Sequence, residues 1–252
     1  MSLESSASAA VRTPSCRARM PAPVLLALFS LCLFAVLGCA STSDEDGGED
    51  KQEAGEVWGG RDPIERIDAF IAEHPVDKSN PHWKTKVPRP PFVQFDPNKK
   101  YYWYLNTDIG MIKAELKPEW SPNHVSTAIY LTRIGFYDGL TFHRVIPGFM
   151  AQGGDPLGNG RGGPGFRIAG EFHKKALHKD KGAISAANRG PRTDGSQFFI
   201  TFKKAEHLDG KHTVYGQVVE GMGTLRTLES FGSKEGEPMQ TVTIRRAEVV
   251  VE

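Results

Sequence analysis

The sequence predicts a mainly β domain, a closed barrel rather than an open sheet, behind a long N-terminal region that is not part of it. Two observations carry this expectation. From Tyr101 onward, short strand-like runs alternate with Gly and Pro turns, and only two stretches there have helical spacing. The 252 residues, 39% hydrophobic and 24% charged, suffice to bury a sizeable core.

The first forty residues read as an export signal. Arg12, Arg17 and Arg19 precede an apolar run from Val24 to Ala40, shorter than the ~20 residues a spanning helix needs. Its end, Val36-Leu37-Gly38-Cys39, resembles a bacterial lipobox. On that resemblance residues 1–38 are a lipoprotein signal peptide, and Cys39 becomes a lipidated N-terminus anchored in a membrane on its extracytoplasmic, periplasmic side. The alternatives are a plain signal peptide with a chance cysteine, or an uncleaved anchor. Residues 39–60 form an acidic tether, with seven Asp or Glu against Lys51 between Ser41 and Gly60.

Residues 61–100 read as an arm. Asp62-Pro63 has the form of a helix cap followed by a first-turn proline, and Ile64, Ile67, Phe70 and Ile71 recur at helical spacing. Pro75, Pro81, Pro88, Pro90, Pro91 and Pro97 then exclude a central strand or a helix interior. A compact domain over 101–252 follows. Tyr101–Thr107 and Met111–Leu116 read as strands joined through Asp108-Ile109-Gly110, and Ser121-Pro122 opens a helix that Gly135 stops. A second helix carries Met222, Leu225 and Leu228, and Val242–Val251 closes the domain as a strand.

Composition narrows the function. A formal charge of +1, with no dense Lys/Arg run, argues against nucleic acid as the main partner. All three cysteines (Cys16, Cys32, Cys39) lie in the first forty residues, so the domain is expected to hold neither a disulfide nor a cysteine zinc site; no cofactor is expected. Gly158, Gly160 and Gly163 have dinucleotide-turn spacing, but Pro164-Gly165 prevents a following helix. His173 and His178 flank a lysine-rich loop and are expected to be solvated. Ser196 lacks the surroundings of a nucleophile elbow.

Three stretches depart from clean periodicity: Phe142–Asp155, Asn188–Ile200 and His207–His212. Arg144 and Gln152, embedded among Phe142, Phe149 and Met150, suggest a polar pair facing an apolar groove. The runs FHRVIPGFMAQGGDP, GPRTDGSQFFITF and HLDGKHTVYG resemble the cyclophilin family of peptidyl-prolyl cis-trans isomerases, and the similarity covers Tyr101 to Glu252. The resemblance implies a closed eight-stranded antiparallel β-barrel capped by two helices, acting as a monomer on proline-containing polypeptides during folding of exported proteins. An alternative is a membrane-tethered peptide-binding or chaperone module with incidental catalysis.

By the same resemblance, Arg144 is the catalytic arginine and Gln152 orients it. Phe149, Met150, Phe199 and Leu208 would line the proline pocket, with His212 at its edge. Ala187 and Asn188 would hydrogen-bond the extended substrate through their backbone. His207 stands at the rim where the best-known members carry tryptophan, which implies weak cyclosporin binding. Arg161, Arg189 and Arg192 lie in loops that border a secondary pocket in related folds, where they would favour acidic or polar side chains two or three residues before the proline; the plainer alternative is solvated loop charges.

Overall fold

The structure, a computed structural model, describes residues 62–252. The signal segment, Cys39 and the acidic tether lie outside the described residues. The first helix, α1 (Pro63–Glu73), begins as its sequence indicates. Asp62 Oδ1 accepts from the Ile64 N–H at 2.8 Å, and Pro63 occupies the first turn, where no helical donor is needed. Ile67 is fully buried, and Phe70 meets Tyr130 edge-on at 5.7 Å.

Beyond α1 the proline-rich chain has one 3-10 turn, Trp83–Thr85, yet it is pinned to the domain. Trp83 meets Phe136 edge-on at 6.3 Å, Lys84 Nζ donates to the Asp138 carbonyl at 2.6 Å, and the Val87 N–H donates to the Pro164 carbonyl at 2.8 Å. Val87 and Val93 join the same core as the sheet.

Eight antiparallel strands follow: β1 (Tyr101–Thr107), β2 (Gly110–Leu116), β3 (Arg144–Ile146), β4 (Met150–Gly153), β5 (Ala183–Ala186), β6 (Phe198–Thr201), β7 (Val214–Glu220) and β8 (Ile244–Val251). Their spatial order is β3-β4-β6-β5-β7-β2-β1-β8. The helices α2 (Pro122–Arg133) and α3 (Met222–Ser230) accompany the sheet. Trp103, Tyr137 and Phe198 meet edge to face in the core, with ring centroids 4.9 to 5.8 Å apart.

The expected closed barrel is corrected by this topology: the sheet is open and curled, with β3 and β8 as its edges. The loop at 233–236 explains why. Val145 on β3 donates its N–H to the Gly236 carbonyl at 2.8 Å and accepts from the Ser233 N–H at 3.1 Å, so that loop takes the bonds a closing strand would need. Ahead of β3 the seam is crossed by an isolated bridge between Thr141 and Thr243 and by three backbone bonds: the Gly139 N–H on the Ile244 carbonyl (2.8 Å), the Ile244 N–H on the Leu140 carbonyl (2.8 Å) and the Phe142 N–H on the Val242 carbonyl (3.0 Å).

Ser121 stands at the start of α2 but does not cap it; its hydroxyl donates to the Val214 carbonyl at 2.7 Å. Glu171 takes over from across the fold, its carboxylate accepting the N–H groups of Asn123 and His124 at 3.2 and 3.0 Å. The His124 ring is then clamped between Glu171 (2.6 Å) and Asp194 (2.8 Å).

Candidate active site

Strand register assembles the site. Arg144 on β3 pairs with Gln152 on β4, Gln152 pairs with Phe199 on β6, and Phe199 pairs with Ser185 on β5. This row crosses four strands, so their side chains share one face. Met150 stands two residues from Gln152 and joins them. The intervening Ala151, Phe198 and Ile200 belong to the main core cluster, whereas Met150 and Phe199 are buried outside it. Burial of these two apolar residues is therefore burial in a groove floor.

Arg144 is exposed, and its Nη1 lies 3.4 Å from Gln152 Oε1. Gln152 is held in turn: its Nε2 donates to Gln197 Oε1 at 2.8 Å, and Gln197 Nε2 donates to the Gly162 carbonyl at 2.7 Å. Two amides thus fix the direction in which Gln152 presents its acceptor to the guanidinium. Gly236 passes so close behind that an added Cβ would sit 3.0 Å from Arg144 Cγ, which limits the stem from one side. The neighbouring His143 has both ring nitrogens buried, and burial moves its pKa below the ordinary histidine value. A neutral ring there adds no like charge beside Arg144.

The apolar recess is framed by rings. Phe199 meets His212 edge-on at 5.4 Å, and Phe149 stacks on the exposed His207 at 5.7 Å. His212 Nδ1 lies 3.0 Å from the Ala186 carbonyl, an acceptor, so Nδ1 carries the proton in this geometry. Its backbone N–H donates to the Leu208 carbonyl at 3.1 Å, which links His212 to the 3-10 turn Glu206–Leu208. Ala187 and Asn188 border a neighbouring cavity together with Gln152 and Gln197. The Ala187 N–H already donates to the Gln197 carbonyl at 3.0 Å, leaving its carbonyl for a ligand, and Asn188 Nδ2 donates to the Lys211 carbonyl at 2.9 Å.

His178 corrects the solvated assignment. It is fully buried and stacks behind Phe199 at 5.7 Å. Nδ1 donates to Asp209 Oδ1 at 2.7 Å, and Nε2 is 3.0 Å from the Ser185 hydroxyl. Burial outweighs the Asp209 contact and lowers its pKa. His178 and Gln197 are supporting residues that the sequence reading missed; for Gln197 the available signal was its position two residues before Phe199. The Gly158–Gly163 stretch is a loop with no helix after it. Among the described residues, no group of three or more His, Cys, Asp or Glu is placed to hold a metal ion.

Fold and site together place a held guanidinium beside an apolar recess on the face of a curled sheet. Residues 102–249 match the family model described as cyclophilin type peptidyl-prolyl cis-trans isomerase/CLD, and the chain belongs to that family. Similar proteins include peptidyl-prolyl cis-trans isomerase-like 2 of Cryptococcus neoformans, 42% identical over 60% of this chain and 28% of the relative. Another is peptidyl-prolyl cis-trans isomerase-like 3 of Gallus gallus, 44% identical over 56% of this chain and 91% of the relative. The chain thus spans little more than a quarter of the first of these. The crystal structure of a Cryptosporidium parvum cyclophilin type isomerase superposes with a TM-score of 0.58 at 31% identity, covering 60% of this chain and 98% of that one. The same protein in the presence of the dipeptide Ala-Pro gives 0.57 at 32%, covering 59% of this chain and 98% of that one.

Proposed function

We propose that this domain speeds cis-trans rotation about X-Pro bonds in polypeptides, with Arg144 as the catalytic residue. The observation that carries this reading is the Arg144–Gln152–Phe199 row, which sets a fixed cation next to an apolar recess. The barrier to rotation, ~18 to 20 kcal/mol, arises because the amide nitrogen donates its lone pair into the carbonyl. Twisting the bond returns that pair to nitrogen. A donor held there stabilises the twisted state more than either planar form. A guanidinium has N–H groups for both the prolyl carbonyl and the nitrogen and need not lose a proton. About 5 kcal/mol of such selective stabilisation would turn tens of seconds into milliseconds.

In this reading Phe149, Met150, Phe199, Leu208 and His212 receive the proline ring, and the Ala187 and Asn188 backbone steadies the chain beside it. His207 makes cyclosporin a weak ligand. The test is a proline-isomerisation assay of the purified protein against Arg144→Ala. Loss of at least about 100-fold in kcat/KM, about 3 kcal/mol, with an unchanged circular dichroism spectrum is expected. Undiminished turnover in the folded variant would overturn Arg144 as the catalytic residue, and no turnover by the native protein would replace the catalytic reading with a peptide-binding module.

The same proposal extends to location. Residues 1–38 direct export, Cys39 is lipidated, and the domain acts on exported proteins at the extracytoplasmic face of a membrane. Support comes from the Val36–Cys39 sequence and the acidic tether behind it. Mass spectrometry should find a lipid on an N-terminal Cys39, and Cys39→Ser should move the protein to the soluble fraction; an unmodified N-terminus elsewhere overturns this.

A further inference from the structure

The β3–β4 hairpin carries Arg144 on one strand and Met150 and Gln152 on the other, and the turn between them delivers Phe149 to the recess. That turn spans Ile146 to Phe149 and is closed by the Phe149 N–H on the Ile146 carbonyl at 3.0 Å. Pro147 holds its second position and Gly148, with φ 68°, its third, the form of a type II turn. In such a turn the N–H of the third residue points outward and has no partner within the loop. Gly148 finds one on another element: Glu229 Oε1 accepts its N–H at 2.7 Å.

Glu229 is half-buried in the last turn of α3, the end of a helix that repels a carboxylate, and no basic residue in that turn offsets it. A residue that weakens its own helix is explained by what it holds elsewhere. The hairpin needs holding, since β3 is an edge strand joined to β4 by three register pairs. The chain after α3 closes on it as well: a Cβ on Gly232 would lie 2.7 Å from Pro147 Cδ and 2.8 Å from the Val145 carbonyl oxygen, so no side chain fits between the two backbones. Phe149 is then set from several directions. Its carbonyl accepts from the Phe202 N–H at 2.9 Å, its ring lies on His207, and the turn ahead of it is tied to α3. Arg144 is held by other groups, Gln152 and the close backbone of Gly236.

We propose that Glu229 is a positioning residue for the proline recess: its carboxylate holds the Pro147-Gly148 turn, and through that turn it sets the Phe149 ring against which the proline packs. The inference rests on the isomerase reading for its ligand and assigns Glu229 to binding, apart from the bond rotation at Arg144. A displaced Phe149 loses contact with the planar and the twisted proline alike. Such uniform binding enters KM and leaves kcat.

The test measures kcat, KM, the affinity for a proline peptide and the Gly148 amide proton resonance in the full chain and its variants, with circular dichroism as the check of folding. Glu229→Ala should raise KM and weaken affinity by about fivefold while kcat stays within about twofold. The Gly148 amide proton should move upfield as its carboxylate acceptor is lost. Glu229→Gln, which keeps an acceptor of the same reach, should recover most of the affinity. In a Phe149→Ala background, Glu229→Ala should weaken affinity by less than about twofold, because two residues acting as one unit do not add. Where Glu229→Ala does not fold, Glu229→Asp, one methylene shorter, carries the same measurements. Full additivity with Phe149→Ala, or unchanged affinity in a folded Glu229→Ala protein, would overturn the positioning role. A fall in kcat at constant KM would overturn it too, by moving the action of Glu229 to Arg144. Absence of turnover in the native protein would overturn the isomerase reading, and peptide affinity would still decide the role of Glu229.

Discussion

Phe198 and Phe199 are neighbours, both buried, and face opposite ways. Alternation along β6 sends the first into the core against Trp103 and the second into the groove, where His178 backs it. Burial alone would have called both core residues; the pairing of Phe199 with Gln152 separates them. At the rim, His207 stacks on Phe149. An indole in its place would keep that stacking and offer its N–H from a larger ring, at a fixed position that does not depend on a tautomer. His207→Trp should therefore strengthen cyclosporin inhibition by about tenfold, the worth of one good hydrogen bond, as read from inhibition curves. Unchanged inhibition would mean the rim donor is immaterial. The motifs singled out Arg144, Gln152, Met150 and Phe199, which the strand register brings to one face of the sheet. His178 was not singled out, because its lysine-rich neighbours suggest solvent, while its burial depends on Asp209 and Ser185 elsewhere in the chain.

Long elements with a clear period matched their sequence: β1 spans Tyr101–Thr107 as expected, and α1 begins at the Asp62-Pro63 cap. The strands that build the site, β3 to β6, have only three or four residues each, too few for a period to emerge. Helix α2 shows another limit, since its N-terminus is capped by Glu171, far away in sequence. His124 joins that cap to Asp194. Burial opposes its charge, but the Asp194 and Glu171 bonds outweigh burial and raise its pKa above the usual 6.5. Its charged form thus contributes stability that is full below pH ~6.5 and lost as pH rises through the raised folded value. In urea denaturation, His124→Gln should cost about 3 kcal/mol near pH ~6 and visibly less near pH ~9. A cost independent of pH would show that the ring acts by shape alone. His178 has the opposite sign: its lowered pKa makes acid, below pH ~6.5, the destabilising direction.

For the molecule as a whole, the arm matters more than its prolines suggest. Prolines exclude regular structure and leave packing open, and Ile67, Val87 and Val93 are buried in the core. A protein trimmed to begin at Tyr101 should be less stable than one beginning at Asp62, by about 5 kcal/mol from three lost burials. Its thermal midpoint should fall by about 10 °C or more in calorimetry; equal midpoints would reduce the arm to a surface strap. The seam between β3 and β8 has its own consequence. On the proposed isomerase reading the domain meets unfolded chains with loose strands in search of a partner, and a bare β3 edge beside the groove would offer them a ladder to join. With Ser233 and Gly236 already bonded to Val145, that template is partly blocked. On that reading visiting chains would be met in the groove more than by strand addition at this edge, which spares the domain from being held by chains it has no need to keep.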